Sequence, residues 1–84
     1  MTDQEQEDAL LGALRTAFAD GNRRCSAHGD KPAGVLILWL GHLRGVWFCR
    51  EGRFHFVPGG YASPTISVDS LDDALDYTLR HVCQ

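Results

Sequence analysis

Six apolar residues in unbroken succession, Val35-Leu36-Ile37-Leu38-Trp39-Leu40, leave no solvated face whichever way the segment folds. Made into a strand, the run needs cover on both sides, because a sheet resting on a single helical layer normally alternates apolar and polar side chains. The second cover is either another helix of the same chain or another molecule. The chain has little material for extra layers. Its 84 residues suit one domain, and a domain of about 60 residues buries only ~60% of the surface its unfolded chain exposes.

Composition places the chain among globular proteins: 44% of residues are hydrophobic, 23% are charged, and the aromatics are two Trp, two Tyr and four Phe, which argues against disorder throughout. Residues 1–8 are the exception and are expected to fray. Their acids (Asp3, Glu5, Glu7, Asp8) stand where a secretory leader would be basic and then apolar. Six apolar residues also fall far short of the roughly 20 a membrane-spanning helix needs. The three cysteines, Cys25, Cys49 and Cys83, cannot all pair within one chain, and their wide spacing matches no disulfide scaffold. A reduced, cytoplasmic setting is the expectation. The net charge of −3 is segregated: residues 1–20 carry −4, residues 21–55 carry +4 and residues 56–84 carry −3. Such a pattern steers a partner or neutralises itself within the fold.

Leu10, Leu14 and Phe18, with Leu11 beside them, predict an amphipathic helix over about 4–19. Thr2 and Glu5 form a capping box, and Gly21 offers a left-handed stop. Residues 20–34 are polar, hold Gly29, Pro32 and Gly34, show no apolar period, and read as a loop. After the apolar run, residues 41–45 turn into Val46–Arg50, and Glu51-Gly52 makes a hairpin loop into Arg53–Val57. That loop pairs Arg50 with Arg53, Cys49 with Phe54, Phe48 with His55, Trp47 with Phe56 and Val46 with Val57. One face is then wholly apolar (Trp47, Cys49, Phe54, Phe56) and the other mixed (Val46, Phe48, Arg50, Arg53, His55, Val57). Residues 58–64 form a loop and 65–68 a candidate fourth strand. From a cap at Asp69 or Ser70, Leu71, Ala74, Leu75, Thr78, Leu79 and Val82 recur at helical spacing. The expected fold is a single small α+β domain over 1–84: helix, an antiparallel meander of three strands with a candidate fourth, then helix. It forms a two-layer sandwich with both helices on one sheet face.

No motif assigns chemistry. Cys25-x-x-His28 and His81-x-Cys83 supply the ligand types of a tetrahedral zinc, but neither pair has the usual spacing, and His81 and Cys83 leave a helix in different directions. The hairpin register puts Cys49 and His55 on opposite faces, against a thiol–imidazole pair; Cys49 reads as a small core residue. Asp72, Asp73 and Asp76 read as a solvated helix face. Pro58-Gly59-Gly60 lacks the Lys-Ser/Thr ending of a phosphate loop. No catalytic residue, metal ligand or cofactor is assigned, which leans away from an enzyme.

The order helix, three antiparallel strands, helix, with Gly41-His42 ahead of the second strand, resembles the double-stranded RNA-binding fold. The resemblance ends at topology: that family opens its last helix with phosphate-gripping lysines, and this chain has Asp72-Asp73-Ala74-Leu75-Asp76 there. Membership is not assigned. A different nucleic-acid mode, using Arg44, Arg50, Arg53 and His55 beside Phe48 on the mixed face, is the alternative reading.

Protein association accounts for more of the sequence. Val46, Phe48 and Val57 would join one alternate set of the apolar run, either Val35, Ile37 and Trp39 or Leu36, Leu38 and Leu40, in an apolar patch of a kind that monomers seldom leave bare. The expectation is a non-enzymatic interaction or regulatory module that homodimerises through the sheet. Ile37, Trp39 and Phe48 are the expected anchors, and Arg44, Arg50, Arg53 and His55 surround them.

Overall fold

A computed structural model describes residues 2–21, 24–30 and 34–83. Helix α1 (Asp3–Gly21) is followed by strands β1 (Cys25–Asp30), β2 (Gly34–Trp39), β3 (His42–Arg50), β4 (Arg53–Pro58) and β5 (Ile66–Val68). Helix α2 (Leu71–Tyr77) runs into a π-helical turn, Thr78–Val82. The strands form one antiparallel meander in the order β1-β2-β3-β4-β5. The two-layer α+β arrangement expected from the sequence is present, with five strands where three or four were expected.

The extra strand is β1, inside the stretch 20–34 that reads as a loop. Its sequence, Cys-Ser-Ala-His-Gly-Asp, has no β-branched or aromatic residue. Its strand conformation comes from pairing with β2, from Cys25 opposite Trp39 to Asp30 opposite Gly34. Residues 22, 23 and 31–33 of that stretch, Arg23 and Lys31 among them, lie outside the described residues. Residues 3–8, expected to fray, are helical. Glu5 N–H donates to Thr2 Oγ1 at 3.1 Å, the capping box anticipated from sequence.

Two tight hairpins set the registers. Glu51 and Gly52 have φ of 54° and 78°, the left-handed pair that matches the twist of the flanking strands, and the β3–β4 register is the one expected. The β2–β3 turn differs from expectation: it consists of Leu40 and Gly41, with φ of 50° and 82°, and β3 begins at once at His42 rather than after Gly45. The register then shifts by one residue, since Leu38 faces Leu43 but Ile37 faces Gly45, and Arg44 is a β-bulge. A bulge reverses which side chains face the core. It turns Gly45, Trp47 and Cys49 inward, and Gly45 leaves room for the Phe56 ring, which a Cβ there would strike.

Leu10, Leu14 and Phe18 of α1, Ala74 of α2, and Val82 pack on Ala27, Val35, Ile37, Trp47, Phe54 and Phe56. Trp47 is fully buried, and its indole N–H donates to Thr78 Oγ1 at 2.8 Å. The Thr78 hydroxyl in turn donates to the Ala74 carbonyl at 2.7 Å. In the wide turn that follows, Cys83 N–H donates to the Thr78 carbonyl at 3.0 Å. Cys83 there forms a disulfide with Cys25, 58 residues away. The bridge departs from the expected reduced setting without a disulfide scaffold: β1 and the end of the last helical turn are neighbours, which wide spacing in sequence conceals. On a chain-entropy account such a loop closure contributes about 4 kcal/mol.

Replacing Thr78→Val removes the hydroxyl that accepts from a buried indole while nearly keeping side-chain volume. The expected loss is about 1–3 kcal/mol, measured from urea midpoints at unchanged slope, with Thr78→Ser retaining most of the stability.

Candidate functional site

Both helices cover the face of the sheet that carries Ile37 and Trp47, so no described helix covers the opposite face. One row across it is His28, Leu36, Val46 and Val57, each opposite the next in register. A second row is Phe48, His55 and Ser67. Leu38, facing Leu43, adds a third apolar pair. Leu36, Leu38, Val46, Phe48 and Val57 remain partly exposed, and Leu43 is 51% exposed. This is a contiguous apolar surface on three strands.

One end of the face is polar and preorganised. Phe48 and His55 stack with ring centroids 5.1 Å apart, and His55 Nδ1 lies 2.6 Å from Ser67 Oγ. The Arg50 guanidinium sits 5.5 Å above the Phe48 ring, a cation–π arrangement. Arg53 Nε donates to Asp69 Oδ1 at 2.7 Å between two exposed side chains. Two of the three arginines expected at the rim thus have partners within the chain.

Of the residues expected at the interface, Phe48, His55 and Arg50 come together on the open face. Ile37 does not: it is fully buried under the helices. Trp39 points the same way, partly buried against the core. Both are corrections with one cause, the bulge at Arg44, which places Leu36 and Leu38 rather than Ile37 and Trp39 beside Val46. Arg44 itself borders a different cavity of about 320 Å³ with Phe56, Tyr77 and His81. Leu36 and Leu38 belonged to one of the two alternate sets, but nothing in the sequence chose between them.

The chemical candidates are not assembled. Cys25 and Cys83 meet as a disulfide, while His28 is exposed beside Ser26 Oγ at 3.1 Å and His81 contacts the Tyr77 ring at 4.9 Å. Among the described residues no three His, Cys, Asp or Glu side chains gather where a metal ion would sit. Cys49 is buried, and its thiol is pushed up to about 11 by burial and by the nearby Asp3 and Glu7 carboxylates. At neutral pH it is a protonated thiol, a poor nucleophile. No described helix is long and apolar enough to cross a membrane.

The acidic helix start has a structural task beside this face. Asp3 accepts from Glu51 N–H at 3.2 Å and Gly52 N–H at 3.3 Å, and Glu7 accepts from Cys49 N–H at 2.8 Å. Part of the charge segregation is therefore internal neutralisation, with Arg50 close enough to favour the Asp3 carboxylate. No protein-family model, curated protein or solved structure matches the chain.

The hydrogen bonds from Gly52 and Glu51 hold the Asp3 carboxyl below its ordinary value of 3.8. A carboxyl lowered by folding stabilises the native state above that ordinary value, and the contribution fades as pH falls through the lowered one. Asp3→Asn is expected to be less stable than wild type at pH 6, with the two stabilities converging as pH drops below about 4. Parallel urea titrations at pH 6 and pH 3 check this, and a constant difference would contradict it.

Proposed function

We propose that this protein is a non-enzymatic interaction or regulatory module whose open sheet face binds a second copy of itself. The observation that supports the reading is the uncovered apolar surface formed by Leu36, Leu38, Val46, Phe48 and Val57. Strands about 4.8 Å apart and about 20 Å long give five strands a planar footprint on the order of 400 Å². That is near half of the ~800 Å² per partner of a standard interface, so a weak, micromolar dimer is the expectation. Aligned sheets pack about 30° apart. An antiparallel twofold sets the Phe48 and Arg50 end of one copy over the Leu38 and Leu43 end of the other, which keeps the arginines apart.

The nucleic-acid alternative has less support, because Arg53 is paired with Asp69, Arg50 is engaged with Phe48, and Arg44 lies elsewhere. The cytoplasmic setting rested on reduced cysteines and is not part of the proposal, since Cys25 and Cys83 are bridged.

Sedimentation velocity over a dilution series is expected to give a monomer–dimer equilibrium for the wild type. Phe48→Glu is expected to remain monomeric with unchanged helix content. A wild type that stays monomeric at every concentration would refute self-association. A Phe48→Glu chain that unfolds would move Phe48 from the interface into the core.

A further inference from the structure

The outer edge of β1 is a second surface that no described strand covers, adjoining the open face at His28. β2 flanks β1 on one side, and no described strand flanks it on the other. The Arg24 carbonyl points toward β2, where Leu40 N–H donates to it at 2.8 Å. Backbone groups alternate sides along an antiparallel strand. Ser26, His28 and Asp30 therefore also face β2, and Cys25, Ala27 and Gly29 present their N–H and C=O groups at the free edge. Arg15 of α1 reaches down to this edge, its Nε donating to the Ala27 carbonyl at 3.0 Å.

Helix α1 overhangs the edge and makes a trough with it. Arg15, Phe18 and Ala19, on one helical face, line a cavity of about 440 Å³ together with Cys25, Ala27 and His28. Its walls are apolar at Phe18, Ala19 and Ala27. The Arg15 guanidinium forms no salt bridge with any described carboxylate.

We propose that the trough between α1 and β1 binds an extended, carboxylate-bearing segment of another protein, which adds to the sheet as a sixth strand beside β1. The edge amides and carbonyls repeat at strand spacing, and an extended backbone satisfies them in register while alternate side chains enter the cavity. On binding, a backbone N–H of the incoming strand takes the Ala27 carbonyl. The displaced Arg15 turns its planar donors to the carboxylate, a charge-assisted pairing. Until then Arg15 caps the edge, as charged side chains do on exposed strands. The β1 edge of a second copy suits the trough less well, because a twofold about Ala27 would set two Arg15 side chains against each other.

The test is an NMR titration of the full chain with two synthetic hexapeptides of alternating valine and threonine, identical except for one central glutamate or glutamine. The glutamate peptide is expected to shift the Cys25, Ala27 and Gly29 amides, slow their hydrogen exchange and leave Phe48 and Val57 unmoved. It is expected to bind about tenfold more tightly than the glutamine peptide, and Arg15→Gln should bring that ratio near one. If Arg15→Gln fails to fold, the ratio on the wild type decides. Absence of shifts at millimolar peptide, shifts confined to the open face, or equal binding of the two peptides would overturn the proposal. Edge amides that become protected simply on raising protein concentration would assign the edge to a second copy and overturn it equally.

Discussion

A sheet with apolar side chains on both faces and a single helical layer to cover them is the constraint from which the rest of this structure follows. The helices settle on the face that holds Trp47, Ile37, Phe54 and Phe56, where the largest rings are. The buried Trp47–Thr78 hydrogen bond fixes the wide turn at the end of α2 against that layer. The Cys25–Cys83 disulfide then ties the same turn to the first strand. With both helices committed, Leu36, Val46, Phe48 and Val57 stay partly exposed on the other face.

Charge follows the same two-layer logic. Acids cluster on the helices and most of the described basic residues on or beside the sheet, but several of these charges are engaged where the layers meet. Asp3 and Glu7 hold the β3–β4 hairpin through backbone amides, and Asp69 holds Arg53. What is left on the open face is mainly apolar, with a stacked Phe48–His55 pair under Arg50 at one end. This favours association by surface burial over recognition of a polyanion, which needs several cations free to meet phosphates.

The sequence made some of this legible. Glu51-Gly52 between two runs of strand formers fixes a hairpin register residue by residue, and the Leu10, Leu14, Phe18 stripe and the Thr2–Glu5 box define α1. β1 was hidden because its six residues carry no strand preference of their own and owe their conformation to β2. The bulge at Arg44 has no sequence signature here, yet it decides which half of the apolar run meets the helices. Ile37 and Trp39 were expected outside and lie inside, and Leu36 and Leu38 take their place. The disulfide was equally hidden, because it depends on β1 being a strand at all.

The most direct measurement of the central claim is the solvent accessibility of the Leu36, Val46 and Val57 methyl groups, read from relaxation by a soluble paramagnetic probe as the protein is diluted. Weak relaxation in concentrated solution that rises as the sample is diluted is the result expected of a face that only a second copy covers. Methyl groups shielded to the same degree at every dilution would mean that one chain covers both sides of its own sheet, and would contradict the account.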